Sequence, residues 1–508
     1  MTKGFSAPKA SPMLSQWMRL FLVSLLLVAP AAEAQQSAEA WLVAAFARTS
    51  QGLPPPAGAP TSVAQAVAHW DWLRRPGRAG ERWPLGEVAA WLRDNPGFPN
   101  HADIRRRAEA QAADPALTAD PEARRFFEAV APETAAGRAR FALLLAQDPA
   151  RRVVAREQAR AAWTATGVTE PLEGALLSVL GNDLTQADHV ARADALLWAG
   201  QTTAAARMLA LLPEDVRALA SARIALRTNA ADAEARAASV PARWRNHAGL
   251  VHERALWLER NRRLADAEAL LAGTSVDPAT VGAPRTWLQR RLTLARAAWR
   301  RGDPRLAERI LANHGMTIGP DTLAMPLGVR VDLSDTEWLA GWLALRHNGR
   351  ADAAVQHFTR FNQAVQTPIS RARGDYWLGR AEAARGRQAE ARAAFERAAT
   401  YFDTFYGQLA AEELGQTVAL PVIAPVPVPE AERAAVEASR LAQAFALLGA
   451  AGDLERQSPF VRALASAAQT PAARRAAAEF GLRRSRPDLA VWIWRDARPQ
   501  GDLSLFDL

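Results

Sequence analysis

Between short breaks rich in proline and glycine, apolar residues return at helical spacing through most of the chain, which predicts α-helices from end to end. The breaks fall at Gly52 to Pro60, around Pro76 to Gly80, near Pro96 to Pro99 and at Leu420 to Pro429. In the last of these, Pro421, Pro425, Pro427 and Pro429 remove amide donors and push the residues before them toward extended geometry. Residues 420–429 therefore read as a semi-rigid linker. A helix is expected to resume over Glu430 to Leu448, and Thr470-Pro471 marks another start, an N-cap residue followed by proline at the first helical position.

Internal repetition carries more information than the period itself. Gly349, Ala354 and Phe358 recur as Gly386, Ala391 and Phe395, each 37 positions later, and Ala344 and Ala381 share the offset. Each copy predicts an apolar helix, a glycine turn and a second, Ala-rich helix closing on Phe, the logic of tetratricopeptide-like (TPR-like) repeats with a period near 34. Less regular relatives stand upstream, where Leu196 to Gly200 precedes Ala204 to Leu211 and Trp299 to Gly302 precedes Leu306 to Leu311. A single two-helix hairpin cannot bury its apolar face, so neighbours stack and share a core. The expected fold is an all-α, TPR-like helical-repeat superhelix (an α-solenoid) over 35–419, followed by the linker at 420–429 and a small C-terminal helical unit at 430–508. Most of the 17 Trp sit in apolar helical stretches such as Trp338 to Leu343 and read as packing residues rather than sugar platforms.

The N-terminus changes the compartment. Lys3, Lys9 and Arg19 precede an apolar run from Leu20 to Ala29, too short to span a bilayer comfortably, and Ala32-Glu33-Ala34 supplies a small-x-small cleavage site. Residues 1–34 read as a signal peptide cut before Gln35, which sends the chain to the periplasm. No later stretch is apolar enough for a membrane span. Cysteine is absent, which excludes disulfides, thiolate catalysis and Cys-based zinc sites. The formal charge of +9 falls to about +7 once Lys3, Lys9, Arg19 and Glu33 leave. Lys3 and Lys9 are the only lysines, so every basic residue of the exported chain is Arg. This reads as a compositional bias toward Arg spread over a solvated basic surface.

Candidate chemistry is sparse. The eight His, at 69, 101, 189, 247, 252, 314, 347 and 357, form no i, i+4 pair around a Glu, so no zinc site is expected. Neither a Walker pattern nor a Gly-x-Gly-x-x-Gly run occurs, and no cofactor is expected. Glu412-Glu413, or Asp332 with Asp335, could pair for glycoside cleavage, but on Ala-rich helices they read as solvated faces without the apolar pocket that raises a catalytic pKa. The clusters Arg105-Arg106-Arg107 and Arg483-Arg484 read as solubilising, and export argues against nucleic acid.

One combination of segments is more specific. Thr367-Pro-Ile-Ser-Arg-Ala-Arg-Gly-Asp-Tyr-Trp-Leu-Gly-Arg-Ala381, followed by Phe405-Tyr-Gly-Gln-Leu-Ala-Ala-Glu-Glu-Leu-Gly415, resembles the final repeats of the superhelical domain of soluble lytic murein transglycosylases. Trp91 to Asn100 resembles an early helix-to-Pro turn of that family and Arg192 to Gly200 a mid-domain helix, so the resemblance covers most of 35–415. Residues 430–500 are similar in place and character to the family's helical linker domain. Arg371, Arg373, Tyr376, Trp377, Arg380, Phe405, Tyr406 and Gly407 match family motif positions, with structural roles implied: helix packing, and a tight turn where Gly407 relieves backbone strain.

The resemblance further implies a lysozyme-like catalytic domain in which one Glu protonates the glycosidic oxygen and helps form a 1,6-anhydro product. The family's Glu-Ser-x-Phe and Gly-Leu-Met-Gln motifs do not occur here and only fourteen residues follow Trp494, so that domain is expected to be missing and no catalytic residue is carried over. The implied function is the non-catalytic, superhelical part of a lytic murein transglycosylase. Its implied partners are peptidoglycan glycan strands and either a catalytic domain, which is lost, truncated or encoded separately, or a periplasmic protein. The alternative is a periplasmic adaptor that holds a protein partner on its concave surface, as TPR-like arrays do.

Overall fold

A computed structural model of the chain describes residues 37–75, 82–417 and 425–507, and among these lie 26 α-helices and no strand. The all-α expectation is met. The expected signal peptide at 1–34 and Pro421 of the linker lie outside the described residues, and Pro425 to Pro429 are without helix.

Local sequence explains several helix starts. The hydroxyls of Thr61, Thr134, Thr185, Thr367, Thr404, Ser439 and Thr470 each accept a backbone amide from the first helical turn, the usual way an orphan donor is satisfied. Thr470 does so for Pro471–Leu482, as read from Thr470-Pro471. Ser439 corrects an expectation. Instead of one helix over 430–448, the chain forms Glu430–Ala438 and Arg440–Ala450, because the Ser439 hydroxyl takes the Ala442 amide at 3.2 Å and starts a new helix. The 37-residue repeat appears in three dimensions as well. Gly349 (φ 65°) and Gly386 (φ 74°) turn the chain after Leu327–Arg346 and Pro368–Ala384, and Ala354, Phe358, Ala391 and Phe395 are all buried.

The chain divides into two compact units. One comprises Met1–Ala79 with Ala438–Phe460, the other Gly80–Glu437 with Val461–Leu508. The segment expected as one small C-terminal unit thus contributes to both. In the first unit, the helices Ala38–Thr49 and Ser62–Leu73 pack on Arg440–Ala450. Asp71, fully buried there, accepts from Thr49 Oγ1 (2.6 Å), Arg74 (2.7 Å), Arg75 (2.9 Å) and Arg456 Nε (2.9 Å). Those four donors hold its carboxyl below the ordinary range against the opposing effect of burial.

In the second unit many helices pack on the next or on the next but one, as Leu327–Arg346 does on Ala351–Ala364 and on Pro284–Arg300, and the buried residues form several clusters along the chain. Its interior departs from the expected solvated basic surface. Arg192, Arg223 and Arg291 are at most 1% exposed. Arg192 and Arg291 lie over Trp163 and Trp287, each 4.3 Å from the ring centre. Their N–H groups reach carbonyls at the ends of other helices. Arg192 donates to Trp163 O at 3.0 Å, and Arg291 to Leu271 O at 3.0 Å and Ile310 O at 2.5 Å. Arg227 and Arg260, less buried, do the same to Leu197 O (3.1 Å) and Leu226 O (2.5 Å). Guanidinium suits this use because it is weakly hydrated and planar with five donors, whereas an ammonium is strongly hydrated, non-planar and has three.

Two histidines record the same environment. His252 packs between Trp198 and Trp287, and burial, reinforced by Arg290, Arg227 and Arg223, lowers its pKa from 6.5 to about 3. Burial, with Arg223, lowers His247 to about 4 despite Asp194 and Asp277 nearby. The unfolded chain binds these protons near pH 6.5 and the folded chain does not, so stability is full above that pH and falls as pH drops through the window below it. The urea midpoint is therefore expected to decline between pH 6.5 and 5, before most carboxylates titrate. His252→Leu should make that decline shallower, and an unchanged slope in the variant would refute the assignment.

Candidate functional site

The helix Pro368–Ala384 and the helix Phe405–Glu413 carry all eight motif residues. Thr367 caps the first and Thr404 the second, where Thr404 Oγ1 accepts from Gly407 N at 3.0 Å. Gly407 is required for a reason other than the expected one. Its backbone is not in the left-handed region, but a methyl group on it would collide with the Tyr401 carbonyl oxygen. Close approach, not relief of strain, excludes a side chain.

Six of the motif residues form one aromatic and cationic cluster. Tyr376, 6% exposed, packs against Tyr406 (ring centres 5.5 Å apart), Trp377 (5.7 Å) and Phe395 (5.8 Å). Its hydroxyl accepts from Arg380 Nη1 at 2.9 Å, and Arg380 also meets Glu413 at 3.2 Å. Arg373 lies 3.6 Å from the Trp338 ring centre, and burial lowers its pKa against the opposing influence of Tyr406 and Asp335. Trp377 stacks on Phe358 at 6.1 Å, while Phe405, 69% exposed, meets Tyr406 edge-on at 5.2 Å. Gly407 supports the cluster from the helix start. Arg371 stands apart and lines an open cleft with Thr359, Asn362, Gln363 and Leu378.

Beside this cluster lies a group that spacing could not reveal. Glu337, fully buried, accepts from His314 Nε2 (2.8 Å) and Arg360 Nε (2.8 Å) on one oxygen and faces His357 Nδ1 (2.6 Å) on the other. His314 Nδ1 accepts the Met316 amide at 3.0 Å, which leaves the donating hydrogen on Nε2. Burial alone would raise the Glu337 pKa, but the two histidines outweigh it and hold the carboxyl far below the ordinary range. The three partners are 20 or 23 residues away, so no local motif announces them. The only sequence signal is a carboxylate placed before the apolar run Trp338 to Leu343.

Two of the four carboxylates singled out by sequence are structurally engaged. Asp332 accepts from Arg285 Nε (3.1 Å) and Gln289 Nε2 (3.0 Å), and Glu413 is paired with Arg380. No group of three His, Cys, Asp or Glu among the described residues could hold a metal ion. No helix among them is long and apolar enough to cross a membrane.

No family model matches the chain, and no curated protein matches it by sequence. Solved structures do. Lytic transglycosylase Slt of Pseudomonas aeruginosa, solved as an inactive mutant, superposes with a TM-score of 0.55 at 16% identity, covering 87% of this chain and 67% of that one. The 70 kDa soluble lytic transglycosylase of Escherichia coli gives 0.51 at 15% identity, covering 94% of this chain and 73% of the other. The same values hold for the complex of the 70 kDa soluble lytic transglycosylase with bulgecin A. The chain has the fold of soluble lytic transglycosylases. Within this lytic transglycosylase fold, the motif helices 368–384 and 405–413 are those through which the sequence resembles the family.

Two substitutions test the packing described. Gly407→Ala should lower stability by about 1–3 kcal/mol, read as a shift of the denaturant midpoint, because the Tyr401 carbonyl is backbone and has to move. Glu337→Gln should cost about 3–5 kcal/mol by leaving buried His and Arg donors without their anion. Wild-type midpoints for either variant would contradict the geometry.

Proposed function

We propose that the chain is the non-catalytic, superhelical part of a periplasmic soluble lytic murein transglycosylase, and that it binds and positions peptidoglycan glycan strands for glycan-strand cleavage. The observation that carries this reading is the shared fold with two lytic transglycosylases over 87% and 94% of the chain. The leader at 1–34 supports export to the compartment where that polymer lies. The state of three interior acids supports a non-cleaving role. A general acid for glycoside cleavage needs a raised pKa and access to the substrate, whereas Glu337, Glu173 and Asp71 are held ionised by arginines, histidines or hydroxyls.

The test is co-sedimentation of the purified chain with peptidoglycan sacculi, followed by mass spectrometry of the supernatant. Expected is salt-sensitive pelleting with no release of 1,6-anhydro-muropeptides. Release of those products would overturn the non-catalytic reading. Failure to pellet, with capture of a defined periplasmic protein instead, would favour the adaptor.

A further inference from the structure

We infer that the turns of four consecutive helical hairpins form a docking row for a linear polyanion. The inference goes beyond the function proposed above and does not depend on it. From the end of Ala248–Arg260 to the turn after Pro368–Ala384, residues 260–387, the chain holds twenty Arg against twelve Asp and Glu. That surplus of eight nearly equals the whole chain's formal +9, yet it stands on about a quarter of the residues. The basic character is therefore local rather than evenly spread.

The four turns follow Ala248–Arg260, Pro284–Arg300, Leu327–Arg346 and Pro368–Ala384, and each is tied to the hairpin before it. Arg260 donates to Leu226 O, Arg301 pairs with Glu268 (2.5 Å), Arg350 with Glu308 (2.5 Å) and Arg385 with Asp352 (2.7 Å). Asn348 Nδ2 also reaches Pro304 O at 3.1 Å, so the third turn touches the second. A further arginine in each turn is left over. Arg262, Arg300, Arg346 and Arg387 are exposed, and among the described residues no ion pair, side-chain hydrogen bond or aromatic ring engages them. The same holds for Arg305 and Arg309.

Helix stability does not account for these positions. A cation is favourable in the last turn of a helix, which suits Arg300 and Arg346, but unfavourable at a helix start. Arg387 is the N-cap of Gln388–Ala399, and Arg305 is the second residue of Pro304–Ala312. Arg305 and Arg309 also stand four apart on one helix, where like charges repel. Arg262 holds a left-handed backbone (φ 61°) at the place where the other three turns use Gly302, Gly349 and Gly386.

Solvated guanidiniums set along a row recognise charge spread along a line. Helices packed side by side stand roughly 8–10 Å apart, so four turns extend over about 25 Å or more. A small anion meets one turn at a time. A chain with an oxyanion on every unit meets several at once, gaining from multivalency and from release of its condensed counterions. A folded acidic protein fits less well, because protein interfaces have an apolar centre and Leu264 is the only large apolar residue exposed in these turns among the described residues.

The test is fluorescence-anisotropy titration of the full chain with end-labelled inorganic polyphosphate over a series of salt concentrations, with trimetaphosphate and the acidic folded protein ovalbumin as competitors. Polyphosphate is expected to bind with an affinity whose logarithm falls linearly with the logarithm of salt, and neither competitor should displace it at equal charge. The double variant Arg262→Gly, Arg387→Gln should weaken binding roughly ten-fold at low salt and lower the salt slope by about one for each arginine lost. Arg93→Gln with Arg125→Gln removes the same charge from exposed, unpaired arginines outside the row and should change affinity by less than about two-fold. The first variant relieves a left-handed residue and takes a cation from a helix start, so its denaturant midpoint should not fall below wild type, which separates lost binding from lost fold. Equal weakening by the two variants would leave net charge alone responsible and overturn the row. Absence of polyphosphate binding, displacement by trimetaphosphate, or displacement by ovalbumin would each overturn the linear polyanion.

Discussion

The second unit depends on cations that reach from one helix to the unsatisfied end of another. The last four carbonyls of an α-helix have no partner within it, and in a stack of short helices those ends fall inside the protein. Arg192, Arg227, Arg260 and Arg291 donate to Trp163, Leu197, Leu226 and Leu271, each within the last turn of an earlier helix. The charge also lies at the negative end of the helix dipole. Burial lowers the Arg291 pKa to about 9, which still leaves it cationic at neutral pH. Desolvating a guanidinium is expensive, so the net gain in stability is small. What the arrangement secures is register. A helix displaced by one residue strands both a buried cation and a carbonyl, whereas Ala and Leu faces alone would tolerate the slip.

The same constraint shapes the acids. Interior carboxylates serve as anchors for these cations. Glu173 holds Arg192 and Arg207, and Asp71 holds three arginines in the first unit. Glu253 differs, as do Glu259 and Asp375, because burial raises its pKa in spite of Arg227 at 2.9 Å. A raised pKa alone does not make a general acid. Glu253 is fully buried, so in this conformation it presents no surface to a glycosidic oxygen.

Much of the fold was readable from the chain because its determinants are local. Helical spacing, the Thr470-Pro471 start and the paired Gly349 and Gly386 turns each act within a few residues, and each reappears in the structure. What escaped depends on distance or on competition. Ser439 is one residue in an apparently continuous helical pattern, and only its hydroxyl's capture of the Ala442 amide divides it. The arginines looked like surface because composition does not say which side of a helix meets a neighbour. The Glu337 group escaped for the same reason, as its partners come from separate segments.

The motif helix 368–384 divides its residues between two faces. Positions three, four or seven apart share a face of an α-helix. Arg373, Tyr376, Trp377 and Arg380 therefore form one face, and it packs on Trp338, Phe395 and Tyr406. Arg371 and Leu378 form another, and both line the open cleft. Gly374 and Asp375 lie between them and seat the Asn362 amide. A single seventeen-residue helix thus spends one stripe on the core and a second on a polar cleft. Packing accounts for the aromatic stripe, while the second stripe is the part of the helix that the neighbouring helices leave uncovered.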